Sequence, residues 1–189
     1  RLVDYRLVEA DEGSSTVRLR KKGMVLNLGG IAKGYIVGRA IEELKKTGIK
    51  RGIVKAGGDL SVFDEQGEKA APFIVGIQDP RNKEKLIGEA RLKSGAAATS
   101  GDYERFFIKD GIRYPHILDP ATGFPARGPM CVTIIADDPT IADGLSTAVF
   151  VMGPEKGMEL IERLDGVEGV IIDSDGGIRA SSGFKGKIY

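Results

Sequence analysis

The arrangement of glycine constrains this sequence more than any other feature. Glycine occupies 27 of the 189 positions, about twice its usual share of roughly 7%. Because glycine has no Cβ, it serves where the chain turns tightly or where two backbones approach closely. The glycines are not gathered in a linker but occur singly between apolar segments and as the pairs Gly29-Gly30, Gly57-Gly58 and Gly176-Gly177. The pattern predicts a folded domain built from short elements joined by tight turns.

The spacing of apolar residues predicts an α+β fold with mixed or antiparallel sheets and a few packed helices. Apolar residues recur at helical spacing over residues 31–47, and two further helices are expected over 139–152 and 154–164, each opened by proline. The order of strands, helix, strands, helices and strands favours α+β over an alternating parallel fold. An Asp-Gly step at 110–111 predicts a hairpin. Strands are expected at residues 2–9, 16–20, 52–56, 60–63, 73–77, 86–92, 106–108, 130–136 and 167–172, with a short closing strand after residue 177.

Composition excludes several classes of protein. The 28 Lys and Arg residues offset 27 Asp and Glu residues, and a formal net charge of +1 argues against a dedicated nucleic-acid binder. Cys131 is the sole cysteine, so the chain can form no intramolecular disulfide and no CxxC pair. No apolar run is long enough for a transmembrane helix. We expect residues 1–189 to form one domain, with any signal peptide absent or already removed.

Two segments have the residue types of a site for a phosphate and a metal. In residues 27–34 (NLGGIAKG) a strand end passes through paired glycines into a helix beside Lys33, which could cradle a phosphate. In residues 142–147 (ADGLST) the helical spacing places Asp143, Ser146 and Thr147 on one face, and these hard oxygen donors suit Mg²⁺. The structural alternatives are an ordinary strand-to-helix turn and a first-turn surface carboxylate that complements the helix N-terminus.

Two loops supply further candidates. His116 is the only histidine and lies in a proline-rich segment, residues 114–125, so it is the one candidate for imidazole acid/base chemistry or else a structural residue. Residues 99–103 (TSGDY) read as a polar turn that lines a ligand, because no GxSxG elbow surrounds Ser100. Residues 56–59 (AGGD) form a similar turn at a strand end.

Taken together, these segments resemble the FAD:protein FMN transferases, the ApbE family once called thiamine-biosynthesis lipoproteins. Five matches in the family's order are far more specific than any single one, and the resemblance as a whole covers most of the chain. The resemblance implies an enzyme that binds FAD, uses Mg²⁺ to hold the diphosphate, and transfers FMN to a threonine hydroxyl of an acceptor flavoprotein, releasing AMP. The matching segments are residues 26–35, 56–60, 99–105, 116–125 and 142–153.

The resemblance also implies roles for individual residues. Asp143, Thr147 and a main-chain oxygen near Gly30 would hold the metal, with Ser146 outside the coordination shell. His116 would lie beside the diphosphate as the base that takes the acceptor hydroxyl's proton. The FAD site would be lined by Asn27, Gly30, Lys33, Ser100, His116 and Leu118.

The sequence departs from the family's pattern in two ways. Asn27 stands where most members have Asp, and nothing here matches the family's N-terminal part, so the chain is expected to be the C-terminal portion of the usual length. This leaves two alternatives open: an FAD pyrophosphatase that yields FMN and AMP, and a non-catalytic module that binds a flavin nucleotide. Family members are commonly exported or held at the outer face of the cytoplasmic membrane, which is what the resemblance implies for location.

Overall fold

A six-stranded antiparallel sheet forms the centre of the fold. The computed structural model describes residues 2–67 and 70–189. The strand order is β12-β11-β10-β7-β4-β3, so β7 lies between strands that are distant from it in the sequence. In chain order these strands are β3 (Arg51–Ala56), β4 (Asp59–Asp64), β7 (Gly95–Gly101), β10 (Cys131–Ala136), β11 (Glu168–Ile172) and β12 (Ile178–Ala180).

The remaining strands form smaller antiparallel units. A three-stranded sheet has the order β13-β6-β5, and two hairpins pair β1 with β2 and β8 with β9. At the turn of the second hairpin, Asp110 and Gly111 have φ of 51° and 73°, the left-handed values that an Asp-Gly turn supplies. The bounds are β1 (Val8–Asp11), β2 (Thr16–Leu19), β5 (Phe73–Gln78), β6 (Leu86–Leu92), β8 (Phe106–Lys109), β9 (Ile112–Pro115) and β13 (Gly186–Ile188).

In the part of the chain that the structure describes, three α-helices accompany the sheets. They are α1 (Ala32–Lys46), α2 (Pro139–Met152) and α3 (Pro154–Ile161). The side chain of Asp138 caps α2 by accepting hydrogen bonds from the N–H groups of Thr140 and Ile141. Gly153, with φ of 84°, separates α2 from α3. Among the described residues, no helix combines the length and apolarity that a membrane crossing requires.

The central sheet is covered on both faces. Along β7, Ala96 and Ala98 belong to the core that also contains residues of α2, such as Val149 and Phe150. Ala97, which points to the opposite face, packs instead with Val75 and Ala90 of the three-stranded sheet. The fold is therefore layered, with helices on one face of the central sheet and the small sheet on the other.

The structure confirms the α+β class and the three helices, and it corrects several local predictions. Residues 5–7 form a short 3₁₀ helix, so the first strand begins at Val8 rather than residue 2. The last helix ends at Ile161 rather than residue 164. The largest error concerns residues 99–103: Thr99, Ser100 and Gly101 belong to β7, a central strand, and not to a polar turn. The small residues of β7 have low strand propensity, and the strand forms because it pairs with β10 on one side and β4 on the other.

Candidate functional site

Three hydroxyl side chains meet where the end of β7 lies against α2. The Ser100 Oγ is 2.8 Å from the Ser146 Oγ and 3.1 Å from the Thr147 Oγ1. Ser146 is fully buried and also donates to the Asp143 carbonyl, which is the bond back to the preceding turn that serine makes inside helices. We call Ser100, Ser146 and Thr147 the hydroxyl cluster. It joins a strand and a helix that are more than forty residues apart in the sequence.

The glycine bend before α1 lies directly against this hydroxyl cluster. A Cβ added to Gly30 would lie 3.5 Å from the Thr147 Oγ1 and 3.4 Å from its Cγ2. The bend itself is fixed by Asn27, whose Oδ1 accepts a hydrogen bond from the Gly29 N–H at 2.8 Å. The structure therefore brings Gly30 and Thr147 together.

Asp143 ties α2 to the start of α1. Its Oδ2 accepts a hydrogen bond of 2.9 Å from the Gly34 N–H, one of the amides at the start of α1 that has no partner within its helix. The residue is only 1% exposed and lies in the second turn of α2. The expectation of a first-turn surface carboxylate is therefore wrong, because α1 packs over that part of α2.

Lys33 connects Asp143 to a second buried carboxylate, Asp59. The Lys33 Nζ lies 2.5 Å from the Asp59 Oδ2 and 3.9 Å from the Asp143 Oδ1. Burial raises the pKa of the Asp59 carboxyl, and its hydrogen bond with the Lys33 ammonium opposes that rise. The Asp59 Oδ1 is buried without a hydrogen-bond partner.

Sequence reasoning singled out the AGGD turn but did not link Asp59 to Lys33. The usable signal was an acidic residue at the start of an apolar strand whose successive side chains point to opposite faces, with Leu60 and Val62 toward the small sheet. That alternation turns Asp59 to the helix-covered face. The pairing with Lys33, 26 residues earlier, emerges only from the fold.

The donors at this site fit Mg²⁺. Within residues 2–67 and 70–189, no three His, Cys, Asp or Glu side chains are grouped to hold a metal ion. The metal ligands that the family resemblance implies are Asp143, whose Oδ1 does not accept the Gly34 hydrogen bond, the Thr147 hydroxyl and a main-chain oxygen near Gly30. Few carboxylates, hard oxygens and space for water or phosphate describe the usual Mg²⁺ site.

His116 and Leu118 lie outside the hydroxyl cluster. The His116 side chain is exposed, and its Nδ1 lies 3.2 Å from the Arg105 carbonyl oxygen. A carbonyl oxygen only accepts hydrogen bonds, so Nδ1 carries the proton and Nε2 of the neutral ring has the free lone pair. Leu118 is 56% exposed and forms an isolated bridge with Pro125. Both residues belong to a loop that presents them to solvent.

A separate cleft of about 550 Å³ lies between α1, the far half of β4 and the start of α2. Its walls carry charges of both signs, including Arg39, Lys45 and Asp138. None of the residues predicted for the site lines this cleft.

Comparisons with known proteins find relatives that match most of this chain. A family model described as "ApbE family" matches residues 1–171. The chain is 37% identical over 199 residues to an FAD:protein FMN transferase of Treponema pallidum, covering 98% of this chain and 55% of that protein. It is 32% identical over 174 residues to one of Klebsiella pneumoniae, covering 91% of this chain and 53% of that protein.

Solved structures agree with the family match. The crystal structure of the ApbE protein of Thermotoga maritima superposes with a TM-score of 0.84 at 43% identity, covering 95% of this chain and 58% of that one. The flavin transferase ApbE of Vibrio cholerae has a TM-score of 0.77 at 30% identity, covering 96% and 58%. The chain thus spans little more than half the length of each of these four relatives.

Proposed function

Because the chain belongs to the ApbE family, we propose that it transfers FMN from FAD to a threonine hydroxyl of an acceptor flavoprotein and releases AMP. We further propose that residues 1–189 act as a single domain in this reaction. The meeting of Gly30 and Ser100 at Thr147, one helical turn after Asp143 in α2, supports this function most strongly. Phosphoryl transfer depends mainly on positioning and on neutralising charge, and these residues supply the means for both.

The metal site is assigned to Asp143, Thr147 and Gly30. The Asp143 Oδ1, the Thr147 Oγ1 and the Gly30 main-chain oxygen would be the protein's ligands. When bound there, Mg²⁺ neutralises charge on the diphosphate of FAD. Ser100 contacts the Thr147 hydroxyl, and Ser146 contacts the Ser100 hydroxyl in turn. The two serines therefore orient the Thr147 hydroxyl and stay outside the coordination shell.

The nucleotide is assigned to the surface that begins at the glycine bend. Lys33 adds a positive charge near the diphosphate, and its half-exposed side chain can reach outward from Asp59. Asn27 holds the bend in shape through Gly29. Two further residues complete the lining of the nucleotide site: Ser100 at the end of β7, and Leu118 in the loop that carries His116.

His116 is assigned as the base. In the step we propose, the acceptor threonine Oγ attacks the phosphorus on the FMN side of the diphosphate. The new O–P bond forms as the bond from that phosphorus to the bridging oxygen breaks, and AMP leaves with the bridging oxygen. The threonine proton goes to the His116 Nε2, the nitrogen that bears no proton in the neutral ring whose Nδ1–H donates to the Arg105 carbonyl oxygen.

A mass measurement on the acceptor tests the function. The chain is incubated with FAD, an acceptor flavoprotein and either Mg²⁺ or EDTA, and the acceptor is weighed by mass spectrometry. We expect an FMN-sized increase with Mg²⁺ only, and a rate lower by a factor of about 10² to 10⁴ for His116→Ala. Free FMN and AMP with an unmodified acceptor would instead identify a pyrophosphatase, and FAD binding without products would identify a binding module.

A further inference from the structure

Two almost fully buried carboxylates share one ammonium group in this site. Asp59 and Asp143 are each 1% exposed, and the Lys33 Nζ lies within 2.5 Å of an oxygen of the first and 3.9 Å of an oxygen of the second. The Lys33 side chain itself is 47% exposed. Of these three charged side chains, Lys33 is therefore the one that can move, while Asp59 and Asp143 are held by the residues packed around them.

The two oxygens of Asp143 have different surroundings. Oδ2 accepts the hydrogen bond from the Gly34 N–H, and Oδ1 is the oxygen that faces Lys33. Oδ1 is also the oxygen that remains for a metal ion. A divalent cation and the Lys33 ammonium would thus compete for the same atom.

We propose that Asp59 is a positioning residue that holds the Lys33 ammonium away from the Asp143 Oδ1 and so keeps that oxygen available to a divalent cation. This inference rests on the proposed function, since it takes Asp143 as a metal ligand. The shorter contact, 2.5 Å against 3.9 Å, shows which carboxylate holds the lysine. A charge-assisted hydrogen bond at that distance outweighs the longer ionic contact.

The position of Asp59 suits this role. It is the first residue of β4, on the helix-covered face and beside the Gly57-Gly58 turn. A Cβ on Gly58 would lie only 2.9 Å from the Thr99 carbonyl oxygen, and the Gly58 carbonyl oxygen accepts a hydrogen bond from the Thr99 N–H, so the turn is held closely against β7. The Asp59 carboxylate, which is almost fully buried, is thereby fixed.

Manganese binding tests the inference without relying on catalysis. Mn²⁺ is titrated into the full chain, and free Mn²⁺ is followed by its electron paramagnetic resonance signal. The variants are Asp59→Asn, Lys33→Met and the two combined, with Asp143→Asn as the control that removes the proposed ligand. Asp64→Asn is the matched structural control, because it removes the buried carboxylate of another ion pair, with Arg51, at the opposite end of β4.

We expect Asp59→Asn to weaken Mn²⁺ binding by about tenfold, because the released ammonium moves onto Asp143; tenfold corresponds to roughly 1.4 kcal/mol. Lys33→Met alone should bind Mn²⁺ at least as tightly as the natural chain, and adding it to Asp59→Asn should restore the lost affinity. Asp64→Asn should leave the affinity unchanged.

Four results would overturn the inference. Unchanged affinity in Asp59→Asn, with binding still abolished in Asp143→Asn, would remove Asp59 from the site while leaving the proposed metal ligand in place. A combined variant as weak as Asp59→Asn would make its effect structural. Weaker binding in Lys33→Met would contradict competition even if Asp59→Asn does not fold. Absence of Mn²⁺ binding in the natural chain would reject the proposed metal site itself, and this inference with it.

Discussion

We propose two separable roles for Asp143, one in stability and one in metal binding. Replacing it with alanine removes the acceptor for the buried Gly34 N–H, and we expect a loss of about 1 to 3 kcal/mol in the free energy of unfolding. Asn retains a side-chain oxygen that can accept the same bond, so Asp143→Asn should lose clearly less stability. Both variants should lose divalent-cation binding.

Urea unfolding and Mn²⁺ titration of the two variants measure these effects. Equal destabilisation by alanine and asparagine would show that the hydrogen bond to Gly34 contributes little. Retained Mn²⁺ affinity in both would show that Asp143 is no ligand.

The candidate site was predictable from the sequence only in part. The helical spacing of Asp143, Ser146 and Thr147 predicts one face, and the contacts with Ser100 and Gly30 place that face in a shared site. The burial of Asp143 was not predictable, because it depends on α1 packing over α2. The Asp59–Lys33 pair was not predictable either, since only the packing of α1 on β4 brings these two residues together.

The contact between α1 and α2 depends on Gly34. A Cβ at this position would lie 2.1 Å from the Pro139 carbonyl oxygen and 2.8 Å from the Asp143 Cβ, closer than real contacts allow. We expect Gly34→Ala to destabilise the chain by about 3 kcal/mol, at the upper end of the usual cost of overpacking, despite the better helix propensity of alanine. Metal binding should weaken as well, because the helices must separate at Asp143.

Gly144→Ala in α2 is the control for this prediction. There the added Cβ would lie 3.6 Å from the Ile31 Cδ1, an ordinary contact, so the gain in helix propensity should raise stability by about 0.5 to 1 kcal/mol. Thermal or urea unfolding followed by circular dichroism compares the two. Similar effects of the two substitutions would contradict a close approach specific to Gly34.

Strand β7 shows why element prediction failed where it did. Its residues, GAAATSG, have low β propensity, whereas α2 was predictable to its ends from the apolar spacing and its opening proline. Small side chains suit β7 because α2 packs on one of its faces and the three-stranded sheet on the other, through Ala98 and Ala97. Tertiary packing selected these residues, and a window of local sequence does not contain that information.

Across the whole molecule, the antiparallel layers bring distant segments to one place. The glycine bend at residues 29–30, the end of β7 and the second turn of α2 are widely separated along the chain, yet they meet around Thr147 and Asp143. The α+β class and the helices could be inferred from periodicity. The meeting itself was predictable only through the resemblance to a family, because strand order is not a local property of the sequence.

The central claim is that this meeting point binds the diphosphate of FAD through a divalent cation. Titration calorimetry of the chain with FAD, in Mg²⁺ and in EDTA, tests it most directly, with Asp143→Asn measured alongside. We predict binding in Mg²⁺ that weakens at least about tenfold, or roughly 1.4 kcal/mol, on adding EDTA or on replacing Asp143. Equal FAD affinity in Mg²⁺, in EDTA and in the variant would contradict the claim.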